Sequence, residues 1–327
     1  MVNQDLIKAG FPSESVLPGS DYWKKYRTFS ARSSIWNFDA ITTNKKGSSI
    51  ILDASEKDVF ASGGISLGAN TVQMSSNDDQ IKVSARKGIK LSQVGLEIQG
   101  AGDTYFSPTP ASLLMGSGKN SIIIGGDESN WDIGIRIGTR ALLAGGSGAD
   151  AIRAHGLIQG ISVTGTIQLG AGNDVLEGIS MGGENGVHIN NSGRVEMGEG
   201  DDIIIGSGGS RSIYVNGAID MGSGSDRITG SSLHVNSVTG AEIRMGAGDD
   251  TISAPLVSSN GAKFYFGAGI DRMTLKPGTY STTSANDSAL VLSGSGIIDT
   301  PVYGLEFVTS SATGKEFAFR PGALTVI

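Results

Sequence analysis

One short motif recurs seven times in this sequence and constrains its fold more than any other feature. The motif is an apolar or small residue followed by Gly-x-Gly-x-Asp-x-aliphatic. Its best copies span Leu169–Leu176, Met197–Ile204, Met221–Ile228 and Met245–Ile252. The first Gly of each copy falls at positions 116, 146, 170, 198, 222, 246 and 267, at intervals of 30, 24, 28, 24, 24 and 21. Self-similarity at a nearly fixed period predicts a repeat architecture rather than a compact globule.

Composition decides which repeat architecture fits. Gly makes up 50 of 327 residues, but it does not recur at every third position and Pro numbers only 8, which excludes a collagen-like triple helix. Short alternating stretches between the motifs, such as Ser212–Asn216 and Ala241–Met245, indicate strands. We therefore predict an all-β fold, a right-handed parallel β-solenoid of about 24 residues per turn.

The two ends of the chain differ from the repeated body. Residues 1–48 are predicted to form a cap or connector, because they hold an aromatic cluster and residues 1–46 carry seven Lys or Arg against four Asp or Glu. Residues 49–276 are assigned to the solenoid. Residues 277–327 lose the motif but keep strand-like stretches, which predicts a C-terminal β cap. The aromatic cluster comprises Tyr22, Trp23, Tyr26, Phe29, Trp36 and Phe38.

Charge, cysteine content and hydropathy exclude several functions. The net charge of −7 and the pI near 5.0 have the wrong sign for a nucleic-acid binder. The absence of Cys excludes disulfides, zinc thiolate sites and thiol catalysis. The sequence has no run of 18 or more apolar residues, so no membrane span is predicted. His155, His188 and His234 share no phase of the repeat, and we expect corner or surface roles for them.

The repeated turn resembles the RTX, or haemolysin-type calcium-binding, nonapeptide Gly-Gly-x-Gly-x-Asp-x-aliphatic-x. The resemblance covers about 160 residues. It departs from the family in having one turn per 24 residues or so instead of one per nine, and in replacing the first Gly by Met, Leu or Phe in most copies. It implies at most one row of Ca²⁺ sites along one edge of the solenoid. The implied ligands are Asp150, Asp174, Asp202, Asp226, Asp250 and Asp271, the carbonyls of Gly148, Gly172, Gly200, Gly224, Gly248 and Gly269, and the neutral oxygen of Asn120.

The residues themselves leave two interpretations of these acids open. Stacked carboxylates about 4.8 Å apart repel each other by roughly 1 kcal/mol in bulk water and by several in a less polar setting, which a divalent cation would relieve. Alternatively, each carboxylate accepts backbone N–H groups within its own turn, as Asp commonly does.

The leading functional hypothesis is a non-enzymatic structural or adhesive protein outside the cell or on its surface, stabilised by calcium. Head-to-tail assembly is expected between the basic N-terminal segment of one copy and the acidic body of the next. Proteins with RTX turns are generally exported through an uncleaved C-terminal signal, and the apolar end Ala323–Ile327 is compatible with one. The sequence shows no N-terminal secretory signal.

A second hypothesis is a polysaccharide-binding or polysaccharide-degrading β-helix, such as a phage tail protein. A few Asp, Glu, Arg or Tyr residues outside the repeated turn, gathered on one lateral face, would support it. A third is an ice- or mineral-templating solenoid, which needs Thr or acid at one repeat phase. Because Thr164, Thr229, Thr239 and Thr251 keep no common phase, we rank this hypothesis last.

Overall fold

The computed structural model describes residues 28–31, 35–36, 49–54, 65–67, 71–74, 78–85, 91–100, 110–125, 131–236, 240–286 and 289–327. Strands are the regular elements of these ranges, and none of the ranges contains a helix long and apolar enough to cross a membrane. The first strands are β1 Thr28–Ala31, β2 Ile35–Trp36, β3 Ser49–Ala54, β4 Ile65–Leu67, β5 Thr71–Gln73, β6 Gln80–Ala85, β7 Leu91–Ile98, β8 Ser112–Leu114 and β9 Ser121–Ile124.

The remaining strands form the repeated body and the C-terminal end. The body contains β10 Trp131–Ile137, β11 Leu142–Ser147, β12 Ala151–Gly156, β13 Gln159–Val163, β14 Thr166–Ala171, β15 Val175–Ser180, β16 Asn185–Ile189, β17 Arg194–Glu199, β18 Ile203–Ser207, β19 Arg211–Val215, β20 Ala218–Ser223, β21 Arg227–Thr229, β22 Ser232–Asn236, β23 Glu242–Ala247, β24 Thr251–Ser253, β25 Leu256–Asn260, β26 Lys263–Ala268 and β27 Arg272–Leu275. The C-terminal end contains β28 Gly278–Asn286, β29 Ala289–Gly294, β30 Ile297–Tyr303, β31 Phe307–Ser310, β32 Glu316–Ala318 and β33 Gly322–Val326.

These strands stack into three parallel ladders, which confirms the predicted β-solenoid. Sheet A runs through β1, β3, β6, β9, β12, β15, β18, β21, β24, β27 and β31. Sheet B runs through β2, β4, β7, β10, β13, β16, β19, β22 and β25, and sheet C through β5, β8, β11, β14, β17, β20, β23 and β26. From β3 to β26, successive strands belong to sheets A, B and C in that order.

Aliphatic side chains in register fill the interior of the stack. In sheet A, Ile152 lies beside Leu176, which lies beside Ile204, and the row continues through Ile228 and Ile252. All five are fully buried. Burying one such side chain contributes about 1.5–3 kcal/mol, so each turn is stabilised chiefly by its neighbours.

Sheets A and B come close together where their inward rows consist of small residues. Ala154, Gly178 and Gly206 share one inward row of sheet A. A Cβ atom added to Gly178 would clash with the carbonyl oxygen of Gly186 in sheet B. The interior therefore narrows here to backbone against backbone, a distance that only Gly permits.

The two ends are built differently from the body. Strands β1 and β2 pair in parallel with β3 and β4, so parallel stacking begins before residue 49, and most of the predicted N-terminal cap lies outside the described residues. After residue 277 the pairing becomes mainly antiparallel. Strand β30 continues both sheet B and sheet C, strands β29, β28 and β33 pair with it in antiparallel succession, and β32 covers β31.

Candidate functional site

The repeated Gly-x-Gly-x-Asp turn forms the corner between a sheet C strand and the following sheet A strand. Both of its glycines have positive φ, as in Gly198 at 115° and Gly200 at 129°. A Cβ on Gly198 would also clash with the carbonyl oxygen of Gly170 in the preceding turn. The turn needs Gly at both positions, because only Gly tolerates this backbone conformation and this close approach.

The six repeated aspartates form a single buried file, which we call the aspartate column: Asp150, Asp174, Asp202, Asp226, Asp250 and Asp271. Each side chain is at most 1% exposed. The backbone N–H of each of the first five aspartates donates to Oδ1 of the aspartate in the next turn, with N···O distances of 2.7 Å from Asp150 to Asp174 and 2.9 Å from Asp202 to Asp226. The donor thus belongs to the preceding turn, not to the carboxylate's own turn as in one of the two interpretations that the sequence left open.

Asn120, which belongs to the predicted set, and two residues outside it, Asp79 and Glu306, extend the column. The N–H of Asp79 donates to Oδ1 of Asn120 over 3.0 Å, and the N–H of Asn120 donates to Oδ1 of Asp150 over 2.8 Å. At the other end the N–H of Asp271 donates to Oε2 of Glu306 over 2.8 Å. Sequence reasoning missed Glu306, although its spacing to Val308 repeats the acid-x-aliphatic order of the motif.

Among the described residues, the second carboxylate oxygen of each column aspartate has no hydrogen-bond partner. All six Oδ2 atoms are buried, and among the described residues none donates a hydrogen bond to them. The Oδ2 of Asp150 points to the interior, since a Cβ on Gly145 would clash with it. A buried ionised carboxylate with one hydrogen bond is costly, so the column has a strong tendency to take up protons or cations.

The pKa values of the column reflect this burial. Burial raises the pKa from 3.8 to about 6 in Asp150, Asp226 and Asp271 and to about 7 in Asp202 and Asp250. Neighbouring carboxylates raise these pKa values further, whereas the backbone hydrogen bond lowers them. Burial also raises the pKa of Asp174.

A second row of acceptors lies one residue earlier in the chain and faces solvent. In this outer row the direction of hydrogen bonding is reversed, because the donor belongs to the following turn. Oδ1 of Asp201 accepts the N–H of Ser225 over 2.8 Å, and Oδ1 of Asp249 accepts the N–H of Ile270 over 2.9 Å. Asn173 accepts the N–H of Asp201 in the same way. The extra acids thus have a structural role at the surface.

The candidate calcium ligands comprise glycine carbonyls and acidic side chains. Carbonyl oxygens of the motif glycines point along the stack, since a Cβ on Gly200 would clash with the carbonyl oxygen of Gly172, and the pattern repeats in other turns. The described residues contain no group of three His, Cys, Asp or Glu side chains placed to hold a metal ion. The side chains therefore do not by themselves form a calcium site, and calcium binding stays a prediction that depends on the Oδ2 atoms.

One solvent-facing row of sheet C gathers charged, amide and aromatic residues outside the repeated turn. This lateral row comprises Gln168, Glu196, Asp220, Arg244, Tyr265 and Tyr303, which lie in register on successive turns. The rings of Tyr265 and Tyr303 stack with centroids 4.6 Å apart, and the Arg244 guanidinium lies 4.7 Å from the Tyr265 ring. An open groove of about 520 Å³ borders Gln168, Glu196 and Asp220.

A second row on sheet B brings together two of the three histidines, although the three share no phase in the sequence. His188, Tyr214 and His234 lie in register on three successive turns. His188 follows Asp174 by 14 residues, whereas His234 follows Asp226 by 8, because the corners between sheets A and B differ in length. His155 lies apart on sheet A and is buried.

Comparison with known proteins adds no relative: the chain matches no protein-family model, no curated protein and no solved structure. The resemblance to RTX turns therefore rests on the seven copies of the motif in this sequence.

Proposed function

We propose that this chain is a non-enzymatic adhesive rod that works outside the cell and binds surface polysaccharide along its side. The observation that carries the proposal is the lateral row, which places an acid pair, an arginine and two tyrosines outside the repeated turn on one face. Successive side chains of such a row stand about 4.8 Å apart on a rigid scaffold. A regular, pre-ordered set of hydrogen-bonding groups suits a linear, repetitive ligand because little freedom is lost on binding.

Binding of the intact protein to insoluble cellulose and chitin and to soluble dextran tests this proposal. We expect at least one of these polysaccharides to bind, and the Arg244→Gln variant to bind it about fivefold to tenfold more weakly, as expected for one lost charged contact. Arg153→Gln is the matched control, because Arg153 is also exposed and paired with a glutamate, Glu177, but lies on sheet A. Equal binding by the wild type and Arg244→Gln, or no binding at all, would contradict the proposal.

The same samples distinguish polysaccharide binding from polysaccharide degradation. Two carboxylates on adjacent turns, Glu196 and Asp220, border the groove. A binding protein leaves the polysaccharide chain length unchanged, whereas a hydrolase generates new reducing ends. Reducing ends that depend on Glu196 and Asp220 would replace the adhesive function by an enzymatic one.

End-to-end assembly is part of the same proposal. Antiparallel strands cover the C-terminal end of the stack, so assembly there cannot extend all three parallel ladders. The interface between copies is instead expected between residues 1–46 of one copy and the acidic body of a second copy. Electron microscopy should show filaments at about 50 mM NaCl that dissociate at about 500 mM, because salt screens such contacts. A strictly monomeric protein at low salt would remove this part of the proposal.

A further inference from the structure

A positively charged side chain, Arg211, lies beside the row on sheet B. We call Arg211 and this row together the histidine–tyrosine strip: His188, Arg211, Tyr214 and His234. The rings of His188 and Tyr214 stack with centroids 5.0 Å apart and an angle of 20° between their planes. The Arg211 guanidinium lies 4.4 Å from the centroid of the Tyr214 ring. The ring contact fixes the position of the guanidinium at the surface.

Among the described residues, Arg211 differs from most arginines of the body in forming no ion pair with an acid. Arg136, Arg153, Arg194, Arg244 and Arg272 each pair with a glutamate. Arg211 forms no such ion pair within the described part of the chain. Its charge reaches both neighbouring turns: burial lowers the pKa of His188 and of His234, and Arg211 lowers both further.

The surroundings of Arg211 are rich in hydrogen-bonding groups, although one acid, Glu184, lies in the adjacent turn, where its carbonyl oxygen accepts the N–H of Arg211 over 3.1 Å. The four central strands of sheet B, β13, β16, β19 and β22, contain no Asp or Glu. The amides of Gln159 and Asn216 contact the two ring nitrogens of His188 at 2.9 and 3.2 Å, and Asn236 donates to Asn216 over 3.0 Å. Sheet C, by contrast, carries Glu196 and Asp220.

We infer that the histidine–tyrosine strip binds an acidic polysaccharide, with the Arg211 guanidinium pairing with a carboxylate or sulfate group of the sugar. A guanidinium matches the planar pair of oxygens in such groups through two parallel hydrogen bonds. The flanking amides and His234 supply donors and acceptors for sugar hydroxyls, while the amides of Gln159 and Asn216 hold the His188 ring in place. This inference rests on the proposed polysaccharide-binding function and adds both a ligand class and a second face.

The test measures binding of the full chain to alginate, which carries carboxylates, to chondroitin sulfate, which also carries sulfates, and to neutral dextran. We expect binding to one or both acidic polymers, weakening as NaCl rises. Arg211→Gln should lose about tenfold or more in affinity, since a hydrogen bond to a charged group is removed. Arg211→Lys keeps the charge but not the paired donors, so its affinity should lie between those of the wild type and Arg211→Gln.

Arg227→Gln is the matched control, because Arg227 is exposed on sheet A and also forms no ion pair among the described residues. Unchanged binding by Arg211→Gln would overturn the inference, as would an equal loss in Arg227→Gln, which would indicate unspecific attraction. Inorganic sulfate and NaCl are compared as competitors at equal ionic strength. If sulfate displaces the polymer more strongly than NaCl does, the site binds a free anion and the assignment to a polymer is overturned. Binding to neutral polysaccharides alone would overturn this inference but leave the proposed function standing, and binding to none would overturn both.

Discussion

Asp202 and Asp250 of the aspartate column directly follow Asp201 and Asp249 of the outer row, yet the two pairs occupy opposite environments. The column members are buried and accept an N–H from the preceding turn, whereas the outer residues face solvent and accept from the following turn. The residue type and the type of hydrogen bond are the same. The comparison therefore isolates the effect of burial on a carboxylate: desolvation raises the pKa of the column residues, while water solvates the outer ones.

The largest expected effect is on the pH dependence of stability. The column carboxyls have folded-state pKa values of about 6 to 7 against 3.8 for the unfolded chain, so the folded protein binds more protons between those values. The free energy of unfolding should therefore fall as the pH rises from about 4 to about 7. Thermal melting in EGTA should give a lower melting temperature at about pH 8 than at about pH 5. Stability that increases over this range would show that the column is not protonated.

The next largest expected effect is the stabilisation of the fold by calcium, which also tests whether the column or the outer row binds the ion. If Ca²⁺ binds the folded chain, a concentration of 100 times Kd should add about 2.7 kcal/mol per independent site. The gain should be greater at about pH 8 than at about pH 5, because protons compete for carboxylates. Asp202→Asn should reduce the calcium effect and Asp201→Asn should not, if the column holds the ion. If the melting temperature is the same in calcium and in EGTA, the prediction of calcium binding is wrong, while the solenoid fold is unaffected.

Truncation of one acid in each row should separate their contributions to folding. Asp202→Ala leaves the N–H of Asp174 buried without its acceptor, so we expect a loss of about 1–3 kcal/mol. Asp201→Ala is the matched control, and its change should stay within about 0.5 kcal/mol because water replaces the lost acceptor. Denaturant unfolding of both variants at about pH 5, where the column is protonated, measures the difference. Equal losses would mean that burial does not distinguish the rows.

The smallest effect is expected for Asp202→Asn, which should stabilise the fold, whereas Asp202→Ala should destabilise it. Asparagine keeps the oxygen that accepts the N–H and removes the charge, as Asn120 does naturally. The Nδ2 of Asn120 also donates to Oδ1 of Asp150 over 2.9 Å, so the amide has a ready partner in the next turn. In EGTA at about pH 8 we expect a gain of about 1 kcal/mol from removal of a buried charge. Destabilisation under these conditions would indicate that the ionised form is the one the fold requires.

The fold class could be predicted from the sequence because the period, the paired glycines and the alternating strands all indicate the same architecture. The position of Asp174 or Asp202 within the turn was likewise predictable, and so was their stacking. Which way those side chains face was not, because a motif does not state whether its acid points to solvent or to the interior. That direction depends on the curvature of the corner, which the positive φ angles of Gly198 and Gly200 set.

The lateral groupings could not be predicted because register, not residue count, aligns neighbouring turns. Longer corners displace His188 in sequence while its strand stays paired with that of Tyr214. Glu306 was missed for a related reason, since it follows the last glycine-rich motif by 35 residues yet occupies the next position of the column. The lateral row from Gln168 to Tyr303 likewise emerges only when strands from six turns are placed side by side.

The Asp202 turn makes the same hydrogen bonds to the turn before it as to the turn after it. A segment such as 203–226 is therefore an interchangeable module: its removal would bring together two surfaces that already fit each other. Chains of this kind can grow or shorten by whole turns, about 4.8 Å at a time, without redesign of either end. Duplication or loss of such segments in the gene would therefore set the length of the solenoid in whole-turn steps.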